Sequence, residues 1–203
     1  MIHHPLHRFM LRVVLFFPLA FFVWYVSARW HLAPVTWLTG VLLDVFFPES
    51  VLWLKLEGHY LILASNFGHD AVGNIVSPPP AEDLLGFHLN PLIYGYSLPL
   101  LAALILAVSG QDKWLKLLAG LCLLLPVEVF SMFFSVLKTL TFDVGAAFQQ
   151  QQSITTWQAD IIAMAYQSGT LLLPMIAPLI IWMALNRDFI VQLAPRLQPV
   201  LAK

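Results

Sequence analysis

Charged residues are scarce in this chain, and their scarcity defines its class. Lys, Arg, Asp and Glu make up 10% of the 203 residues, whereas hydrophobic residues make up 60% and the mean hydropathy is +0.80. Soluble globular domains carry roughly 25% charged residues. The formal net charge of −1 provides no basic surface of the kind that nucleic acid requires. The composition therefore predicts an integral membrane protein and excludes nucleic acid as a partner.

Cysteine is also scarce, because Cys122 is the only one, and this excludes an intramolecular disulfide. A cysteine nucleophile needs a nearby base, usually histidine, and no histidine falls inside a predicted span. Cys122 is therefore predicted to be a buried structural thiol. His59, His69, Asp70 and His88 follow no metal-ligand spacing and are predicted to be solvated polar residues. The sequence predicts no catalytic set, no metal site and no cofactor, and thus a protein that is not an enzyme.

Long apolar runs dominate the chain, and four of them have the length of about 20 residues that a membrane-spanning helix needs. The fold class predicted is an α-helical integral membrane protein with four transmembrane helices and a small β-containing extracytoplasmic segment between the first two. The predicted spans are residues 9–28, 91–108, 114–137 and 159–185. Prolines inside the last span are compatible with this, since membrane helices tolerate them.

The distribution of Lys and Arg predicts the orientation. Basic residues concentrate in the tails, 1–8 and 186–203, and in the connection between the second and third spans, whereas only Arg29, Lys55 and Lys138 fall on the opposite side. By the positive-inside rule, both termini are predicted to be cytoplasmic. Residues 29–90 and the connection 138–158 are then predicted to lie outside, the latter as a polar loop that includes "FQQQQS".

The outer segment 29–90 has two predicted features. Its first part, "APVTWLTGVLLDVFFP", is apolar but short, which favours a helix lying in the membrane interface. The next part, "VLWLKLEGHYLILAS", reads as a β-hairpin with Leu52, Leu54 and Leu56 on one face. A lone hairpin is marginally stable, so it is predicted to pack on the interfacial helix, on a third strand such as "LLGFHL" at 84–89, or on a partner.

Glu128 is the candidate site residue, because a carboxylate in "LLLPVEVFSMFF" lies at mid-membrane depth, where charge is costly. A low-dielectric environment favours the protonated acid. Three roles remain open: a hydrogen-bonded clasp between helices, a contact with a partner helix or substrate, and catalysis. The clasp is favoured, since no second acid, histidine or nucleophile accompanies Glu128 at its depth. The candidate clasp residues are Tyr94 and Tyr96 of the second span and Tyr166 and Gln167 of the fourth.

Two stretches carry a resemblance to a known family. "HLNPLIYGYSLPLLAALILA" at 88–107 and "MAYQSGTLLLPMIAPLIIWM" at 164–183 flank the acid-bearing third span. With the β-rich outer segment, this arrangement resembles the exosortase H-associated membrane proteins. The resemblance implies a bacterial inner-membrane accessory protein that works beside an exosortase, an enzyme that cleaves carboxy-terminal sorting tails. It supplies no functional residues, and Cys122 lacks the context of the exosortase nucleophile.

Two functional classes follow. The first is a non-enzymatic partner or scaffold of an exosortase-type protein-sorting system, with the lipid bilayer and another membrane protein as its partners. The second is a small membrane transport or channel component that uses the intramembrane carboxylate of Glu128. The surroundings of Glu128, whether other helices, a wet cavity or lipid, discriminate between them.

Overall fold

Helices form most of the chain. The computed structural model describes residues 5–80 and 83–193. The helices are α1 (Pro5–Val26), α2 (Ala28–Phe46), α3 (Leu92–Gly95), α4 (Ser97–Ala107), α5 (Lys113–Lys138), α6 (Ala146–Gln151), α7 (Thr156–Gln167), α8 (Leu173–Leu185) and α9 (Arg187–Leu193). A first π-helix, Thr139–Val144, continues α5, and a second, Ser168–Leu172, joins α7 to α8. The described residues divide into two compact units. The first unit comprises 5–27, 96–126 and 174–193, and the second unit comprises 28–80, 83–95 and 127–173.

Three helices in the described residues are long and apolar enough to cross a membrane. They are Leu6–Val26, Lys113–Val144 and Thr156–Leu185, and they correspond to the first, third and fourth predicted spans. The helices α3 and α4 together form a shorter apolar helix, Leu92–Ala107, which is about 24 Å long at 1.5 Å per residue. It begins after Pro91, where the Asn90 side chain accepts the Leu92 N–H at 3.1 Å, and it ends where Val108 turns extended. The helical membrane class is thereby supported, while the second predicted span, 91–108, stays a prediction.

The segment 29–90 contains the predicted hairpin. Strand β1 (Val51–Glu57) pairs antiparallel with β2 (Tyr60–Ser65), and Gly58, with φ 60°, lies in the turn. Strand β5 (Gly86–Leu89) pairs with the other edge of β2, so the sheet order is β1-β2-β5. Strands β3 (Gly68–His69) and β4 (Ile75–Val76) form a separate two-stranded ribbon. The third strand is where the sequence predicted it, and α2 also packs against β1.

One detail of the hairpin prediction is wrong. Leu54 and Leu56 are half-buried and Trp53, Lys55 and Glu57 are exposed, as strict alternation requires, but Leu52 is 49% exposed. The pairing register shifts between Val51 and Trp53. An irregularity of this kind interrupts the alternation of faces, which explains why Leu52 does not share the environment of the other two leucines.

Most of the connection 138–158 is helical, which corrects the prediction of a polar loop. It contains the first π-helix and α6, and Phe148 in the "FQQQQS" tract is fully buried. Phe148 packs in the core of the second unit against Phe47 and Phe67. Glutamine side chains then anchor the chain: Gln149 donates to the Thr141 carbonyl at 2.8 Å, and Gln152 donates to the Ser50 hydroxyl at 3.0 Å.

Cys122 is exposed, so the prediction of a buried thiol is wrong. The helix α5 has one buried face in the first unit, which includes Gly120 and Leu124. Cys122 is two positions from each of them and therefore lies on the opposite side of the helix. Apolar surroundings in the sequence could not reveal this, because a membrane helix is apolar on its lipid-facing side as well.

Candidate functional site

Glu128 lies on a buried polar stripe in the second unit that runs along α5 to the start of the first π-helix. The stripe consists of Glu128, Ser131, Ser135 and Thr139, and each of these residues is at most 3% exposed. Their spacing of three, four and four residues places them on one helix face. A carboxyl group in this position is surrounded by protein, which agrees with the general rule that ionisable groups in membrane helices face the protein interior.

Hydrogen bonds within the second unit satisfy much of this stripe. The Ser131 hydroxyl donates to the Val127 carbonyl one turn earlier at 2.9 Å, and the Tyr94 hydroxyl donates to the Ser135 hydroxyl. On the neighbouring helix α2, the buried Thr36 hydroxyl donates to the sulfur of Met132 at 3.9 Å. Such bonds across helices are a recognised source of association in membranes, worth on the order of 1 kcal/mol each.

A glycine brings the second π-helix against the stripe. Gly169 is buried, and a Cβ built on it would lie 2.9 Å from the Cα of Ser131 and 3.1 Å from its hydroxyl oxygen. The two backbones therefore approach as closely as a glycine permits, which is the usual role of small residues between membrane helices. Ser131 is one turn from Glu128, so the backbone of the second π-helix covers the stripe next to the acid.

The sequence-predicted site residues have different locations. Tyr94 is buried in the second unit, where it bonds Ser135, two turns along α5 from Glu128. Tyr166 is half-buried and Gln167 is exposed at the end of α7 in the same unit. Tyr96 is half-buried and belongs to the first unit. The clasp between these residues and Glu128 stays a prediction.

Sequence reasoning missed the small members of the site. Ser131, Ser135 and Thr139 recur on the face of Glu128, and that periodicity is a usable signal for a polar stripe. Gly169 lies in one of the two family-like stretches, where nothing distinguishes it from other glycines. Its role depends on a close backbone approach, which the sequence does not record.

Polar residues of the segment 29–90 stabilise its turns. Asp70 accepts the N–H groups of Asn74 and Val72, each at 2.8 Å, and the Asn74 side-chain amide at 3.1 Å. Bonds from Asn74 are the main reason that the pKa of the Asp70 carboxyl is below its ordinary value. This contribution to stability is present above the usual aspartate range and is lost as the pH falls through the lowered value. Within the described residues, no three metal-binding side chains converge.

We expect Glu128→Gln to unfold thermally within a few degrees of the unchanged protein in detergent, because an amide can replace a protonated acid in hydrogen bonds. Glu128→Leu should unfold at a lower temperature and lose about 1 kcal/mol of its free energy of unfolding, since it removes the polar group from a polar stripe. Thermal unfolding followed by tryptophan fluorescence measures both. A folded, membrane-inserted Glu128→Gln protein without biological function would contradict the clasp and require an ionisable group.

The fold and the buried site define a helical membrane protein that packs an acid and several hydroxyl side chains inside its second unit. The chain belongs to the exosortase H-associated membrane protein family, whose model matches residues 3–189. The resemblance seen in the sequence is confirmed by this match. The family name describes association with an exosortase. No curated protein and no solved structure matches the chain significantly.

Proposed function

We propose that this protein is a non-enzymatic accessory protein of the bacterial inner membrane that acts as a partner or scaffold of an exosortase-type sorting enzyme. The family match over residues 3–189 carries the proposal. Its helices offer suitable surfaces, because α1 leaves large apolar side chains such as Val14, Leu15 and Phe22 exposed. In a membrane, such side chains contact either lipid or the helix of a partner.

The surroundings of Glu128 support the accessory role over transport. Glu128 is 3% exposed within the second unit, beside Ser131 and the close contact with Gly169. A transport carboxylate must be reached by its cargo, usually from a water-filled cavity. A packed stripe instead suits a clasp that fixes helix positions, and a scaffold requires such fixed positions.

We also propose that Leu92–Ala107 is a fourth span and that both termini are cytoplasmic. A helix of about 24 Å is shorter than a typical hydrocarbon core of about 30 Å, and membranes thin locally around short spans at modest cost. With four spans, the sheet and its turns are extracytoplasmic. This agrees with the excess of Lys and Arg in the two tails and in the connection between the second and third spans.

A cysteine-labelling experiment tests this topology. The experiment uses a Cys122→Ser background, because Cys122 is itself exposed and would also react. In this background, we expect Val72→Cys to react with a membrane-impermeant maleimide in intact spheroplasts. Val72 is 85% exposed in the outer segment. Gly110→Cys, in the connection between α4 and α5, should react only after the membrane is permeabilised. The reverse pattern would overturn the orientation.

Site-specific photocrosslinking tests the partner. A photoreactive amino acid at Leu15 or Phe22, both exposed on α1, should crosslink to an exosortase-type enzyme in native membranes. The matched control is Phe9, which lies on the same helix but is buried against Trp182, with ring centroids 5.3 Å apart. Recovery of lipid adducts alone at both exposed positions would contradict an enzyme contact through α1.

A further inference from the structure

The first unit contains a polar cavity of about 280 Å³ near the amino-terminal end of α1. Two arginines of α1, Arg8 and Arg12, line it together with the Ser109 hydroxyl after α4 and the Gln192 amide of α9. None of the described residues that line it is acidic. A cavity whose polar lining is made of two cations, a hydroxyl and an amide favours an anion.

The two arginines are four residues apart on one helix, which puts their side chains on the same face. Like charges at this spacing destabilise a helix by a few tenths of a kcal/mol. No carboxylate in the described part of the chain forms an ion pair with either guanidinium. An anion bound between them would remove this repulsion, and the cavity provides the space for it.

Contacts with the end of α4 hold Arg12 in place. Its Nη1 donates to the Ser109 hydroxyl and, at 3.5 Å, to the Ala107 carbonyl. Both bonds use the same nitrogen, so the Nε and Nη2 hydrogens are left for a ligand. No hydrogen bond or ion pair joins the Arg8 guanidinium to another residue in the described parts of the chain, 5–80 and 83–193. A planar fork of this kind matches the oxygens of a phosphate.

Aromatic packing fixes the wall of the cavity. Phe9, which lies between the two arginines in the sequence, is buried. The centroid of its ring lies 5.2 Å from that of Phe189 and 5.3 Å from that of Trp182. This packing joins the start of α1 to α8 and α9 within the first unit. The part of α1 that carries the arginines is consequently held in place, while the exposed Arg8 side chain becomes ordered only when a ligand binds.

We propose that this cavity binds the phosphate group of an anionic phospholipid. The membrane is the source because the same end of α1 carries exposed apolar side chains, Leu11 and Leu15, beside which the acyl chains of a lipid can lie. Basic pockets between membrane helices commonly hold anionic headgroups.

Native mass spectrometry of the full-length protein tests the site. The protein is released from nanodiscs of phosphatidylcholine with and without phosphatidylglycerol, and retained lipid is counted. We expect the unchanged protein to retain phosphatidylglycerol preferentially and Arg8→Gln to retain about fivefold less. Arg187→Gln is the matched control, because it removes one positive charge from the start of α9, in the same unit, at a residue that does not line the cavity. It should retain as much as the unchanged protein.

Other outcomes are equally decisive. Equal losses for Arg8→Gln and Arg187→Gln would mean that general surface charge attracts the lipid, and would overturn the site. Displacement of phosphatidylglycerol by inorganic phosphate at equal concentration would overturn the lipid source. Arg12→Gln also loses its bonds to the end of α4 and can unfold, so Arg8→Gln carries the conclusion. Arg8→Lys, which keeps the charge but loses the fork, should retain an intermediate amount.

Discussion

Gly68→Ala should strongly destabilise the β-containing segment 29–90. A Cβ at position 68 would lie 1.7 Å from the backbone oxygen of Asp83 and 2.7 Å from the Cβ of Pro79. Neither neighbour is the end of a flexible side chain, so the backbone must move. Overpacking of this kind costs about 3 kcal/mol or more. Thermal unfolding in detergent and the rate of proteolysis within residues 66–90 measure the effect.

The displacement would also break a local contact. The Asp83 carboxylate accepts the His69 N–H at 2.9 Å and lies 3.1 Å from the His69 ring nitrogen Nδ1, so moving Asp83 detaches the ribbon of β3 and β4. Gly86→Ala is the matched control, because the nearest atom to its Cβ would be the Leu63 carbonyl oxygen at 4.0 Å. It should unfold at or slightly above the temperature of the unchanged protein. Similar losses for both variants would mean that the close approach at Gly68 is unimportant.

Composition and periodicity predicted the larger elements, because these follow from local preferences. Three long helices, the hairpin around Gly58 and a third strand overlap the ranges that the sequence predicted, although their ends differ by several residues. A membrane helix is recognised from its own residues, since its backbone bonds are satisfied internally. A hairpin is likewise recognised from its alternating strands and its glycine turn.

Features that depend on distant neighbours could not be predicted in this way. The polar tract around Phe148 is a helix and not the predicted loop, because the Phe148 side chain packs in the core of the second unit. Cys122 is exposed because α5 buries only one of its faces, and an apolar sequence does not say which. The burial of Glu128 follows from its cost in lipid, but its neighbours Ser131 and Gly169 depend on how α5 meets the second π-helix.

Gly169→Ala should loosen the helix contact beside Glu128. The added methyl would lie 2.9 Å from the Cα of Ser131, so the two helices must separate, at a cost of about 1–3 kcal/mol. Gly40→Ala is the matched control in α2 of the same unit, where a Cβ would meet no atom within 4 Å. It should stabilise the protein by up to about 1 kcal/mol, since alanine favours helix more than glycine. Thermal unfolding of both variants in detergent gives the comparison.

Two double variants identify what the glycine contact protects. Adding Ser131→Ala to Gly169→Ala should not restore the unfolding temperature, because the atom nearest to the new methyl is the Cα of residue 131, which remains. A restored unfolding temperature would mean that only the hydroxyl is crowded. Gly169→Ala combined with Glu128→Leu should cost less than the sum of the single changes, since opening the stripe already disturbs the surroundings of the acid. Simple additivity would separate Glu128 from the glycine contact. Non-additivity would make the polar stripe and the close approach one structural unit, as the clasp requires.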